Sequence, residues 1–169
     1  MTSSSAGAAF GHRTGEVTID LPERPDAALF FIGRLHTPWQ ERSACPKNGR
    51  ESDALCTVEL DPRYQPALEG LEGTTHLWLL YWMNLAPRDL LVQIPRHYGT
   101  GRGTFALRSP ARPNPIALSA VRLIAINEAS LTVTGLDCLD GTPLLDIKPY
   151  FASTDSHPEA LVGWREARR

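Results

Sequence analysis

Cysteine is scarce in this chain. The three present, Cys45, Cys56 and Cys138, are an odd set with no CxxC spacing. That argues against a disulfide scaffold and against a cysteine zinc site. His36, His97 and His157 show no ligand-like spacing, so no metal is expected. No apolar run approaches the ~20 residues of a membrane helix. Met1 to Gly15 lacks the basic segment and following apolar segment of a secretory signal. A cytoplasmic protein with reduced thiols and no membrane association is the expectation. Lysine is nearly missing too, with Lys47 and Lys148 the only two among 17 basic residues. The net charge of −2 provides no global basic field for nucleic acid or anionic membrane.

Glycine and proline, by contrast, are plentiful, at 13 and 14 residues in a chain of 169. They cluster between short apolar runs, which speaks against long helices. Leu29 to Leu35, Cys56 to Leu60, His76 to Met83, Leu90 to Ile94, Thr104 to Leu107, Ile116 to Ile126, Leu131 to Val133 and Leu144 to Ile147 read as strands. Only Tyr64 to Leu71 carries a helical signal, with Asp61 as N-cap and Pro62 in its first turn. Many strands and little helix predict a mainly β fold, a single-sheeted antiparallel β-barrel with short helical turns. Residues 1–26 read as an N-terminal extension, a flexible Ser/Ala/Gly-rich tail. Residues 27–164 form the barrel domain and residues 165–169 a short C-terminal tail.

Charge is uneven along the chain. Arg88, Arg96, Arg102, Arg108 and Arg112 face a single acid, Asp89, so this segment is +4 within an otherwise acidic protein. Gly99 to Gly103 has the look of a phosphate loop, but prolines follow where a helix would have to open, so a mobile linker is expected. Pro110, Pro113 and Pro115 restrict the backbone around Arg108, Ser109, Arg112 and Asn114. Arginines on a pre-ordered loop suit recognition of a carboxylate, a phosphate or a base edge. Asp140-Gly141, between two strands, reads as a type I′ hairpin turn. Asp146, Lys148 and Tyr150 alternate on one face, where a surface ion pair is the simplest reading.

Two segments, GTFALRSPARPNPIALS at Gly103 to Ser119 and GLDCLDGTPLLDIKPY at Gly135 to Tyr150, resemble the TsaA/YaeB (TrmO-like) family. FIGRLHTPWQERSACPKNGR at Phe31 to Arg50 and LEGTTHLWLLYW at Leu71 to Trp82 extend the resemblance, in order, over roughly Phe30 to Phe151. It implies a homodimeric methyltransferase that takes S-adenosylmethionine (SAM) near the dimer interface. The implied substrate is the exocyclic nitrogen of a modified adenosine beside the tRNA anticodon. It also implies cofactor contacts at Pro46, Lys47, Asn48, His76, Leu77, Arg108, Leu118, Cys138, Leu139, Asp140 and Gly141. In this reading Arg102, Arg112 and Asn114 meet the RNA. Asp137, Asp140 and Asp146 are candidates for the group that receives the amino proton. The alternatives are a SAM- or nucleotide-binding barrel without transferase activity, and a methyltransferase with another acceptor.

Overall fold

The computed structural model describes residues 12–95 and 99–166. Nine strands occur among them: β1 (Val17–Thr18), β2 (Gly33–His36), β3 (Cys56–Leu60), β4 (His76–Trp82), β5 (Leu90–Gln93), β6 (Arg102–Gly103), β7 (Ile116–Asn127), β8 (Ser130–Thr134) and β9 (Thr142–Pro149). Six of them close a barrel in the order β2-β3-β8-β7-β4-β9, antiparallel at every seam. The expected fold class is therefore observed. A small second sheet, β1-β5-β6, is added to it.

Alternation decides which side chains fill the barrel. In β4, Leu77, Leu79 and Tyr81 point inward and are buried, whereas His76, Trp78, Leu80 and Trp82 face out. Leu35, Val58, Val121, Leu131, Val133 and Leu144 meet them in the core. Each fully buried aliphatic side chain contributes about 1.5–3 kcal/mol, so this inward set supplies the main cohesion. The long β7 pairs with β4 through its first half, Ile116 to Arg122, and with β8 through its second, Arg122 to Asn127. Glu128, at φ 51°, makes the tight β7–β8 turn with Ala129.

Several expectations need correction. The Asp140-Gly141 turn is not a hairpin, because β8 and β9 are not neighbours in the barrel. The chain crosses one barrel end between them, and Gly141, at φ 73°, opens β9. Thr104–Ala106 is a 3-10 turn, not a strand. Buried Thr104 is held there by Gln93, whose side-chain amide also donates to the Ala111 carbonyl, and this bends the chain. The leading segment is not free tail throughout. Val17–Thr18 pairs with β5, Arg13 donates to the Ile94 carbonyl at 2.6 Å, and Glu16 accepts from the Ile94 N–H at 3.1 Å. The Tyr64 to Leu71 helical signal is realised as a 3-10 helix at Pro62–Leu68, with Asp61 accepting from the Arg63 N–H.

Candidate functional site

Strand directions gather most of the singled-out residues at one end of the barrel. That end carries the close of β2, the start of β3, the close of β4, the start of β7, the close of β8 and the start of β9. The β2–β3 loop, the β8–β9 crossing and the excursion from Met83 to Pro115 all leave from it. β7 runs past the end of β8, and the crossing loop packs on this overhang. A Cβ at Gly135 would sit 3.3 Å from the Ala120 carbonyl oxygen. A Cβ at Gly49 would overlap the Gly135 carbonyl, so only glycine lets these two backbones meet.

The Pro46–Asn48 stretch is a capped turn. Asn48 caps the following 3-10 turn by accepting from the Arg50 N–H at 3.0 Å. Glu51 accepts from the Lys47 N–H and the Asn48 side-chain amide. The Asn48 side chain is thus occupied within its own turn, while the Lys47 ammonium is exposed. Leu118 faces outward from β7 at 42% exposure, and the exposed Arg108 reaches its carbonyl at 3.3 Å. The proline-bearing loop and the crossing loop therefore approach the same strand, at neighbouring residues.

The three candidate aspartates differ by environment. Asp146 is paired with Lys148 at 2.6 Å on the outer surface, as the simple reading expected. Asp140 is engaged on several sides. It accepts from the Thr37 N–H at 3.1 Å and the Gln40 amide at 3.2 Å, and it lies 3.3 Å from His36. The Gln40 bond above all, then the Thr37 bond and the His36 charge, hold its carboxyl below the ordinary carboxylate range. Asp137 is different. It is half-buried, and its Oδ1 accepts from the Tyr81 hydroxyl at 2.9 Å. Among the described residues its Oδ2 has no hydrogen-bond partner. Ser119 Oγ lies 2.8 Å from the same tyrosine oxygen.

The remaining candidates divide. Cys138 is fully buried, and its carbonyl accepts from the Thr37 hydroxyl. Burial pushes its thiol up to about 12. The Leu139 carbonyl takes the Thr142 hydroxyl. The Asp140 and Gly141 N–H groups donate to the Trp39 and Leu35 carbonyls, so neither is free to read an adenine edge. Leu77 is a core side chain at 0% exposure. His76 lies on the outer face of β4, tilted against Tyr150. It is four residues from Leu80, the partner of Leu118, or about 13 Å along the strand. Arg112 donates to the carbonyls of Thr104, Leu107 and Ser109 and so braces its own loop. Asn114 is exposed. Arg102 stacks over Trp164 at 5.6 Å, and Arg96 lies outside the described residues. Residue spacing gives no sign of Tyr81, Ser119 or Thr37 at the site. The alternation of β4 held the signal, since an inward tyrosine hydroxyl in a core needs a partner.

Among the described residues no helix is long and apolar enough to cross a membrane. No group of three or more His, Cys, Asp or Glu is placed to hold a metal ion there. VirR of Rhizobium radiobacter, described as a probable S-adenosyl-L-methionine-binding protein, is 49% identical over 137 residues, covering 81% of this chain and 78% of that protein. The tRNA (adenine(37)-N6)-methyltransferase of Escherichia coli is 35% identical over 147 residues, covering 80% of this chain and 63% of the relative. The crystal structure of TrmO from Pseudomonas aeruginosa superposes with a TM-score of 0.69 at 37% identity, over 82% of this chain and 61% of that one. The chain thus spans under two thirds of the latter two proteins. The family described as the tRNA-methyltransferase O N-terminal domain matches residues 34–156, and the chain belongs to it.

Proposed function

We propose that this chain is a SAM-dependent methyltransferase that modifies the exocyclic nitrogen of a modified adenosine beside the tRNA anticodon. One observation carries the reading. A single barrel end brings together the exposed Arg108 guanidinium, the outward Leu118, the Pro46–Asn48 turn and a carboxylate, Asp137, with one oxygen unengaged among the described residues. These groups suit a sulfonium nucleoside whose amino-acid end carries a carboxylate: Arg108 and Lys47 for that carboxylate, Leu118 and Pro46 for the apolar body. When bound, SAM supplies an electrophilic methyl group on a positively charged sulfur. The protein's part is alignment at ~3–3.5 Å and handling of one proton. Asp137 Oδ2 accepts an N–H of the acceptor amino group. It takes that proton as the N–C bond forms and the C–S bond breaks. Asp140 holds the crossing loop against β2, and Asp146 stays paired on the surface.

A homodimer belongs to this reading. On the outer face of β7, Ile116, Leu118 and Ile124 are 42–48% exposed and flank the exposed Arg122. His76, about 13 Å from the Leu118 level, would then serve a site shared between copies. The basic excursion meets the RNA through Arg102 and the exposed Asn114. A tRNA acceptor places the work in the cytoplasm.

A second reading, a SAM-binding protein without transfer, is supported by the description of VirR as a probable S-adenosyl-L-methionine-binding protein. One experiment separates the readings. The protein is melted with and without SAM, then incubated with methyl-labelled SAM and total tRNA. At a hundred times the dissociation constant the cofactor should add about 2.7 kcal/mol of stability, and label should enter RNA. A melting shift without label selects the binding protein, and no shift at millimolar SAM removes both.

A further inference from the structure

Tyr81 is the largest fully buried side chain of the barrel, and its hydroxyl is not idle there. It meets Ser119 Oγ at 2.8 Å on one side and Asp137 Oδ1 at 2.9 Å on the other. A carboxylate only accepts, so the tyrosine proton points to Asp137 and the Ser119 hydroxyl donates to the tyrosine oxygen. The three groups form a one-way chain from β7 through β4 to the crossing loop. Chains of this kind polarise one another, and a buried hydroxyl is costly if left unpaired. The bond fixes which carboxylate oxygen is used inside and which is left without a partner among the described residues.

We infer that Tyr81 is a positioning residue for methyl transfer: its hydroxyl clamps Asp137 Oδ1 so that Oδ2 is presented to the acceptor amino group. The inference rests on the role given to Asp137 above and deepens it. The geometry is complete without any ligand. Asp137 sits in a loop with no strand pairing of its own, crossing between β8 and β9, and Tyr81 and Ser119 tie its carboxylate to the two longest-paired strands of the barrel. Among the described residues, Cys45 from the β2–β3 loop, with the Arg42 charge acting on it, and Cys138 beside Asp137 in the chain are titratable groups facing the clamp. Burial, reinforced by the Asp137 charge, pushes both thiols and the Tyr81 phenol upward, so these three stay protonated and Tyr81 remains a donor across the physiological range. A tyrosine kept neutral in this way is suited to orientation and not to proton transfer.

The test has two arms on the full chain. The first needs no acceptor. Proton NMR should find a slowly exchanging Tyr81 hydroxyl proton that disappears or moves strongly in Asp137→Asn. A hydroxyl in free exchange, or one indifferent to Asp137→Asn, overturns the inference. The second arm is a double-mutant cycle in methyl transfer to tRNA. Tyr81→Phe should lower kcat about tenfold with KM for SAM within twofold. In the Asp137→Asn background the same substitution should change kcat less than twofold, because it acts only through Asp137. Equal effects in both backgrounds, or an unchanged kcat, overturn it. Tyr81→Phe should also melt within a few degrees of the parent; if it fails to fold, the hydroxyl proton measured in the parent and in Asp137→Asn decides the matter. A parent protein that labels no tRNA refutes the acceptor reading instead, and the first arm then judges the clamp alone.

Discussion

Asp137, Asp140 and Asp146 have the same side chain and lie within ten residues, yet their surroundings give them three different tasks. Asp146 is neutralised by Lys148 on the strand surface, and such exposed pairs contribute only about 0–1 kcal/mol. Asp140 fastens the crossing loop to Thr37 and Gln40 of the β2–β3 loop. Its folded-state carboxyl is held below its ordinary range, first by Gln40, then by the Thr37 N–H and the His36 charge. A group lowered in this way stabilises the fold above its unfolded pKa and loses that contribution as pH falls through the folded value. Asp140→Asn should therefore lower the melting temperature at pH 7, and the gap to the parent should narrow as pH drops below ~3.9. Melting curves a constant distance apart from pH 7 to pH 3 would refute this role. The pairing of Asp146 with Lys148 was legible from alternation alone. The contrast between Asp137 and Asp140 was not, since both lie in one loop and differ only in what folds against them.

At the scale of elements, β3 was read from the sequence to the residue, because a five-residue alternation bounded by polar turns has one register that buries its apolar set. The Asp-Gly turn was misread for the converse reason. Local signals report a bend, and only barrel closure says which strand comes next. The loop bearing Pro46–Asn48 depends on a similar long-range fact, the backbone contact between Gly49 and Gly135. Gly49→Ala places a methyl group against a carbonyl that belongs to the crossing loop and cannot step aside freely. The expected cost is about 1–3 kcal/mol, read as a lower melting temperature, together with weaker SAM binding in calorimetry. An alanine variant with the parent's stability and affinity would show that the two loops are not held together by this contact. The strap of Val17–Thr18 on β5 makes the same point from another side: a Ser/Gly-rich lead gave little sign of docking until β5 offered it an open edge.

For the whole molecule the governing feature is the length of β7. It is shared by β4 and β8, seals the barrel, and extends beyond β8 so that the crossing loop and Arg108 rest on it. Its outer face leaves Ile116, Leu118 and Ile124 exposed beside Arg122. A dimer formed through this face would cover those side chains and bring a second His76 towards the site. Light scattering at micromolar concentration should give twice the chain mass, and Leu118→Glu should shift it towards the monomer. A parent protein that scatters as a monomer at that concentration would remove the shared-site arrangement.

The sequence by itself determined the mainly β class, the positions of most strands and the family, because period-two alternation, turn residues and four co-linear motifs are local properties of the chain. Only the tertiary structure decided that β8 and β9 lie apart, that Arg112 braces its own loop while Arg108 reaches β7, and that Tyr81 grips Asp137. Those facts depend on which strands close the barrel and how far β7 overruns β8. Closure is a long-range agreement among six strands that no window of the sequence contains.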